Sequence, residues 1–105
     1  MPARNSKPAI IILDNDKDRC LREEYALDQA LADKNIHATG MSNYGTGFLS
    51  RSGVPKEKFP CIDVQGVLFF PPRPQEELTY DILCLFLEML LDNDLVQQVN
   101  PTAAA

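Results

Sequence analysis

The sequence predicts a small α/β or α+β fold, with a mixed sheet of three or four strands and two helices in the approximate order β-α-β-(β)-β-α. Three observations predict it. A short β-branched apolar run, Ala9-Ile10-Ile11-Ile12-Leu13, opens the ordered part of the chain. A second such run, Cys61 to Phe70, comes later, and a strongly apolar helical stretch, Tyr80–Leu91, follows it. Runs of this length bounded by turn residues are strands buried on both faces, which requires helices to cover the sheet.

In order along the chain, the first strand ends at Asp14. The following Asn15-Asp16-Lys17-Asp18 supplies N-cap side chains for a helix reaching about Lys34. Its apolar residues Cys20, Leu21, Leu27, Ala30 and Leu31 fall on one broad side, with Arg22, Glu23, Gln29 and Asp33 opposite. Asp18/Arg22 and Arg19/Glu23 are helical neighbours four apart that add a few tenths of a kcal/mol each. Asn35 is the stop signal, since asparagine tolerates the left-handed conformation that ends helices. Ile36 to Met41 alternates weakly and reads as a second strand, completing a βαβ unit. Ser42 to Pro60, with three glycines and two prolines, reads as a long irregular segment with a short extended piece at Phe48-Leu49. Cys61 to Phe70 reads as one strand, terminated by Pro71-Pro72-Arg73-Pro74. Those prolines and the acidic Glu76 and Glu77 suit the start of a second helix, from about Gln75 to Leu91. One domain over residues 8–99, with flexible tails at 1–7 and 100–105, accommodates all of this.

That second helix is the loudest feature. Glu77, Asp81, Cys84, Glu88 and Asp92 fall on one narrow stripe, and nearly everything else on it is apolar. A helix resting on a sheet needs an apolar arc only somewhat over 100° wide, and this arc is much wider. The excess predicts a self-association surface, with Leu83, Phe86, Leu87 and Leu90 at a homodimer interface.

Composition excludes several classes. Fifteen acidic residues against ten Lys and Arg give a net charge of -5, and no basic cluster offers the surface that nucleic acid needs. The apolar runs are too short or too interrupted for a membrane span or a secretory signal. Three widely spaced cysteines, Cys20, Cys61 and Cys84, form neither a disulfide framework nor a zinc motif and fit a reducing cytoplasm. His37, the single histidine, has no cysteine or carboxylate at a spacing that implies a catalytic triad.

Two segments carry candidate chemistry. Asp14, Asp16 and Asp18 follow a buried strand and open a helix, where Asp14 and Asp16 are candidate ligands for Mg²⁺. The run departs from a calcium loop, because the sixth position counted from Asp14 is Arg19 and the twelfth is Tyr25. The loop Asn43-Tyr44-Gly45-Thr46-Gly47 can expose backbone N–H groups to an anion or a partner, yet lacks the Lys-Ser/Thr ending of a phosphate-binding loop. The expectation is therefore a small, acidic, cytoplasmic, non-catalytic protein-interaction domain, regulatory or accessory, homodimeric through its C-terminal helix and needing no cofactor. The 42–60 segment would be open to another protein, and neither nucleic acid nor membrane is a partner. The alternative is a Mg²⁺-dependent phosphate-handling enzyme or phosphoacceptor domain using Asp14 and Asp16.

Overall fold

The apolar run at the start becomes the central strand of a mixed sheet. In the computed structural model, residues 7–99 are described, so the predicted tail at 100–105, and all but Lys7 of the predicted tail at 1–7, lie outside the described residues. Strand β1 (Ala9–Leu13) leads into helix α1 (Lys17–Asp33), which is followed by β2 (Ile36–His37) and β3 (Thr39–Asn43). Helix α2 (Thr46–Arg51) and a 3-10 turn at Lys56–Lys58 precede β4 (Cys61–Val64) and β5 (Val67–Phe69). Helix α3 (Tyr80–Asp92) and β6 (Gln97–Gln98) complete the described chain.

The main sheet has the order β3-β1-β4-β5, with β3 parallel to β1 and the other two pairings antiparallel. β2 and β6 form a separate two-stranded pair. Alternation along the strands divides the core into two layers. Ile10, Ile12, Ile62 and Val64 pack beneath α1 and α3 together with Leu27, Leu83, Leu87 and Leu90. Leu13 and Cys61 face the other way, onto Leu49 of α2 and Phe59. The mixed α/β class and its small four-stranded sheet match the sequence-based expectation.

Several elements differ, each for a physical reason. The predicted extended piece at Phe48-Leu49 is instead part of α2, because a helical turn lets Leu49 reach the Leu13 and Phe59 layer. The single strand expected from Cys61 to Phe70 is a hairpin. Gln65 (φ 54°) and Gly66 (φ 87°) both adopt the left-handed conformation of a two-residue turn, and Asp63 Oδ1 accepts the Gly66 N–H at 2.9 Å. The expected strand from Ile36 to Met41 divides at Ala38 into two strands belonging to different sheets.

Helix α3 begins at Tyr80 rather than near Gln75, with Thr79 as N-cap and its hydroxyl accepting the Ile82 N–H. Gln75 has φ 62°, which takes that residue out of helical geometry and leaves 71–79 as a non-helical strap with a turn where the Glu76 N–H donates to the Arg73 carbonyl. α1 behaves as expected at its ends: Asp16 caps it, and Asn35 (φ 54°) stops it. Its inward face is shifted. Leu21 is 45 % exposed, whereas Glu23 joins Cys20, Leu27, Ala30 and Leu31 in the interior.

Candidate functional site

Asp14 ends β1 with a side chain fully shielded from solvent. Arg19, one turn into α1, grips both of its oxygens, donating Nε to Oδ2 at 2.7 Å and Nη2 to Oδ1 at 2.6 Å. Such a forked pair is the strongest form of charge-assisted hydrogen bonding. Burial alone would raise the Asp14 pKa, but the hydrogen bonds it receives, from Arg19 above all, hold the carboxyl below its ordinary range. The Arg19 guanidinium is driven up in turn by its bond to Asp14.

Glu23, one further turn along, is equally buried. Its Oε2 accepts the Leu78 N–H at 2.8 Å, while Oε1 meets no donor among the described residues. An ionised carboxylate with a bare oxygen in the interior costs several kcal/mol. Desolvation first, and a hydrogen bond with Asp14 second, push the Glu23 pKa up to about 9. At neutral pH Glu23 is thus a neutral acid that donates its proton toward Asp14 and accepts from Leu78.

Arg19, Arg22 and Glu23 together hold the strap. Arg19 Nη1 donates to the Gln75 carbonyl at 3.1 Å, and Arg22 pairs with Glu77 at 2.9 Å, so α1 grasps residues 75–78 at three places. Across the helices, Tyr80 donates to Asp33 at 2.6 Å and Lys34 to Glu88 at 3.0 Å. These bonds set how α3 lies beside α1, and therefore which of its faces remains open.

The open face is one helical line away from the predicted one. Leu83, Leu87 and Leu90 are each 1 % exposed, packed inside their own subunit, and cannot meet a second one. They are corrected to core residues, because an i, i+4, i+7 line is the one that α1 and the sheet cover. Phe86 stays half-buried at the surface, and its neighbours there are Ile82, Met89 and the 66 % exposed Leu85. With Phe70 and Pro72 from the chain leaving β5, these residues line a groove of about 320 Å³. Leu85 stands on the outward line that also carries Asp81, Glu88 and Asp92, the one apolar residue among acids.

The other predicted site residues are not assembled. Asp14 spends both oxygens on Arg19, and Asp16 turns its Oδ1 to the Arg19 N–H at 3.0 Å, so the two do not converge on a cation. Among the described residues, no group of three His, Cys, Asp or Glu side chains is placed to hold a metal ion. Asn43 accepts the Gly45 N–H, Gly45 precedes α2, and Thr46 and Gly47 form its first turn, so the loop is local scaffolding for a short helix. Tyr44 turns its ring to Lys17, whose Nζ lies 5.9 Å from the centroid. A cleft of about 370 Å³ lies nearby, and Thr46 is the one member of that loop to line it, with Asn15, Ser50, Lys56 and Phe59 among its other walls.

Burial pushes the Cys61 thiol up to about 12 and the Cys20 thiol to about 11, so neither is a thiolate at neutral pH. His37 is half-buried in β2 opposite Gln97. The sequence assigns Glu23 to the polar side of α1, although its spacing of three from Cys20 and four from Leu27 puts it on the buried line. The exposure of Leu85, Ile82 and Met89 depends on where α1 lies and has no signal along the chain. Comparison of the chain with protein-family models, curated proteins and solved structures returned no match.

Proposed function

We propose that the chain is a protein-association domain of a regulatory or accessory kind, without catalysis of its own, that works as a homodimer through the face of α3. The observation that carries this reading is the groove of Ile82, Leu85, Phe86 and Met89 continued by Phe70, with Leu85 at 66 % exposure. A contiguous apolar patch rimmed by charge marks an interaction surface on a small domain. A twofold dimer is the commonest way to cover one. The buried, protonated thiols of Cys20 and Cys61 and the arginine-bound Asp14 speak against a nucleophile or a metal centre. All three cysteines are free thiols, which fits a reducing cytoplasm as the working compartment.

Sedimentation equilibrium at micromolar concentration tests the reading. The expected mass is near twice the 11.7 kDa of the chain. Leu85→Asp should return it to the monomer with an unchanged circular dichroism spectrum, because Leu85 contributes little to the interior. A wild-type mass near 11.7 kDa at every concentration refutes the proposal.

A further inference from the structure

The connection between β3 and β4 has to cross the end of β1. In the order β3-β1-β4-β5 those two strands flank β1, and β4 begins where β1 and β3 have their carboxyl ends. Residues 44–60 therefore arch over the carboxyl end of the central strand. In α/β sheets ligands gather there, because strand connections part and leave a crevice. The cleft of about 370 Å³ is that crevice. Four separate stretches wall it: the turn after β1, helix α2, the approach to the 3-10 turn and the approach to β4. Small-molecule sites occupy roughly 300–1,000 Å³, so the volume is sufficient.

The walls are fixed in place and divided by chemistry. Buried Leu49 and Phe59 form an apolar floor, continued by Val54 and Pro55. Ser52 Oγ donates to the Leu49 carbonyl at 2.6 Å and accepts the Val54 N–H at 3.2 Å, while Gly53 (φ 79°) turns the chain between them. The remaining lining residues, Asn15, Thr46, Ser50 and Lys56, are polar and exposed. Lys56 is the one charged side chain in the lining, and among the described residues it belongs to no ion pair. Its neighbour Lys58 turns its Nζ to the Phe70 ring instead. Asp14, next to Asn15 in the chain, is already neutralised by Arg19 and does not repel an anion. Over residues 46–58 the balance is Arg51, Lys56 and Lys58 against Glu57, a cationic stretch in a chain of net charge -5.

We propose that this cleft binds a small organic carboxylate with an apolar body. The body lies on Leu49 and Phe59, and the carboxylate meets the Lys56 ammonium, with the Thr46 and Ser50 hydroxyls and the Asn15 amide as further donors. One lysine matches the single charge of a carboxylate, whereas a phosphate carries nearly two and would ask for a second cation. The site is independent of the homodimer reading. Its floor belongs to the Leu13 layer, across the sheet from α3, so either reading can fail without the other.

Amide NMR shifts of the isotope-labelled chain, titrated separately with benzoate, benzamide and acetate, test the site. Benzoate should give saturable shifts at Thr46, Ser50 and Lys56. Benzamide keeps the ring without the charge, and acetate keeps the charge without the ring. Each should bind at least about fivefold more weakly than benzoate, the upper worth of one exposed ion pair. Lys56→Met should weaken benzoate by a similar factor, and since Lys56 is exposed the rest of its spectrum should match the wild type. Absence of saturable benzoate shifts in the cleft, or shifts confined to the α3 groove, overturns the proposal. So does benzamide binding as well as benzoate, acetate binding as well as benzoate, or benzoate binding unchanged in Lys56→Met.

Discussion

The Glu23 carboxyl accepts the Leu78 N–H at 2.8 Å across 55 positions of sequence, joining the interior face of α1 to the strap that precedes α3. Its other oxygen receives no donor among the described residues, and the neighbouring Asp14 is already ionised against Arg19. Glu23 therefore keeps its proton, and this one tether of the strap is a neutral acid, beside the charged ones from Arg19 and Arg22.

This gives the stability a definite pH dependence. Glu23 titrates at about 9 in the fold against an ordinary 4.5, so folding takes up a proton between those values. Its contribution is complete below about pH 4.5 and is lost as pH rises through about 9. The slope approaches at most about 1.4 kcal/mol per pH unit. Glu23→Gln reproduces the neutral acid, its amide oxygen accepting from Leu78 and its NH₂ donating to Asp14. Denaturant unfolding from pH 5 to 9 should show a falling stability for the wild type and a nearly flat one for Glu23→Gln. An equal slope in both means Glu23 is ionised in the fold. Asp14 acts oppositely, its lowered pKa costing stability only as pH falls through and below the ordinary carboxylate range.

Arg19→Ala leaves the Asp14 charge buried without its partner and removes one tether of the strap. Removing one member of a buried pair costs about 3–5 kcal/mol. Arg19→Lys restores the charge but not the fork, and should recover only part of that loss in the same unfolding assay.

Along α3, core and surface substitutions should part sharply. Leu90→Ala opens a cavity among Leu27, Leu83 and Leu87 and should cost about 2–5 kcal/mol. Leu85→Ala should stay within about 0.5 kcal/mol in the monomer. Thermal unfolding at a concentration below that of dimer formation distinguishes the two; comparable losses would place Leu85 inside.

A thiol-alkylating reagent at pH 8 should modify one cysteine of the native chain, the half-buried Cys84, and all three after denaturation. Mass spectrometry of the adducts reads the result. Rapid native labelling at Cys61 would mean an accessible thiolate, and would reopen a nucleophilic role.

What the sequence by itself determined are the features set by neighbours along the chain. The β-branched run gives β1, Asp16 and Asn35 bound α1, and the apolar residues up to Pro71 give β4 and β5, though the left-handed turn at Gln65-Gly66 within them passes for part of one strand. Periodicity likewise shows that α3 has more apolar surface than a sheet-covering helix uses. What tertiary structure decided is which line of α3 is covered. Leu83, Leu87 and Leu90 go inward and Leu85 outward because α1, anchored through Asp33–Tyr80 and Lys34–Glu88, lies on one flank rather than the other. Glu23 lies on the buried stripe of α1, yet a carboxyl there is tolerable only where a proton acceptor and a backbone donor converge on it. Asp14 and Leu78 supply them, and Leu78 comes from a segment 55 residues away that only folding brings within reach. Helical spacing tells which residues share a line; the neighbours that cover that line come from distant parts of the chain.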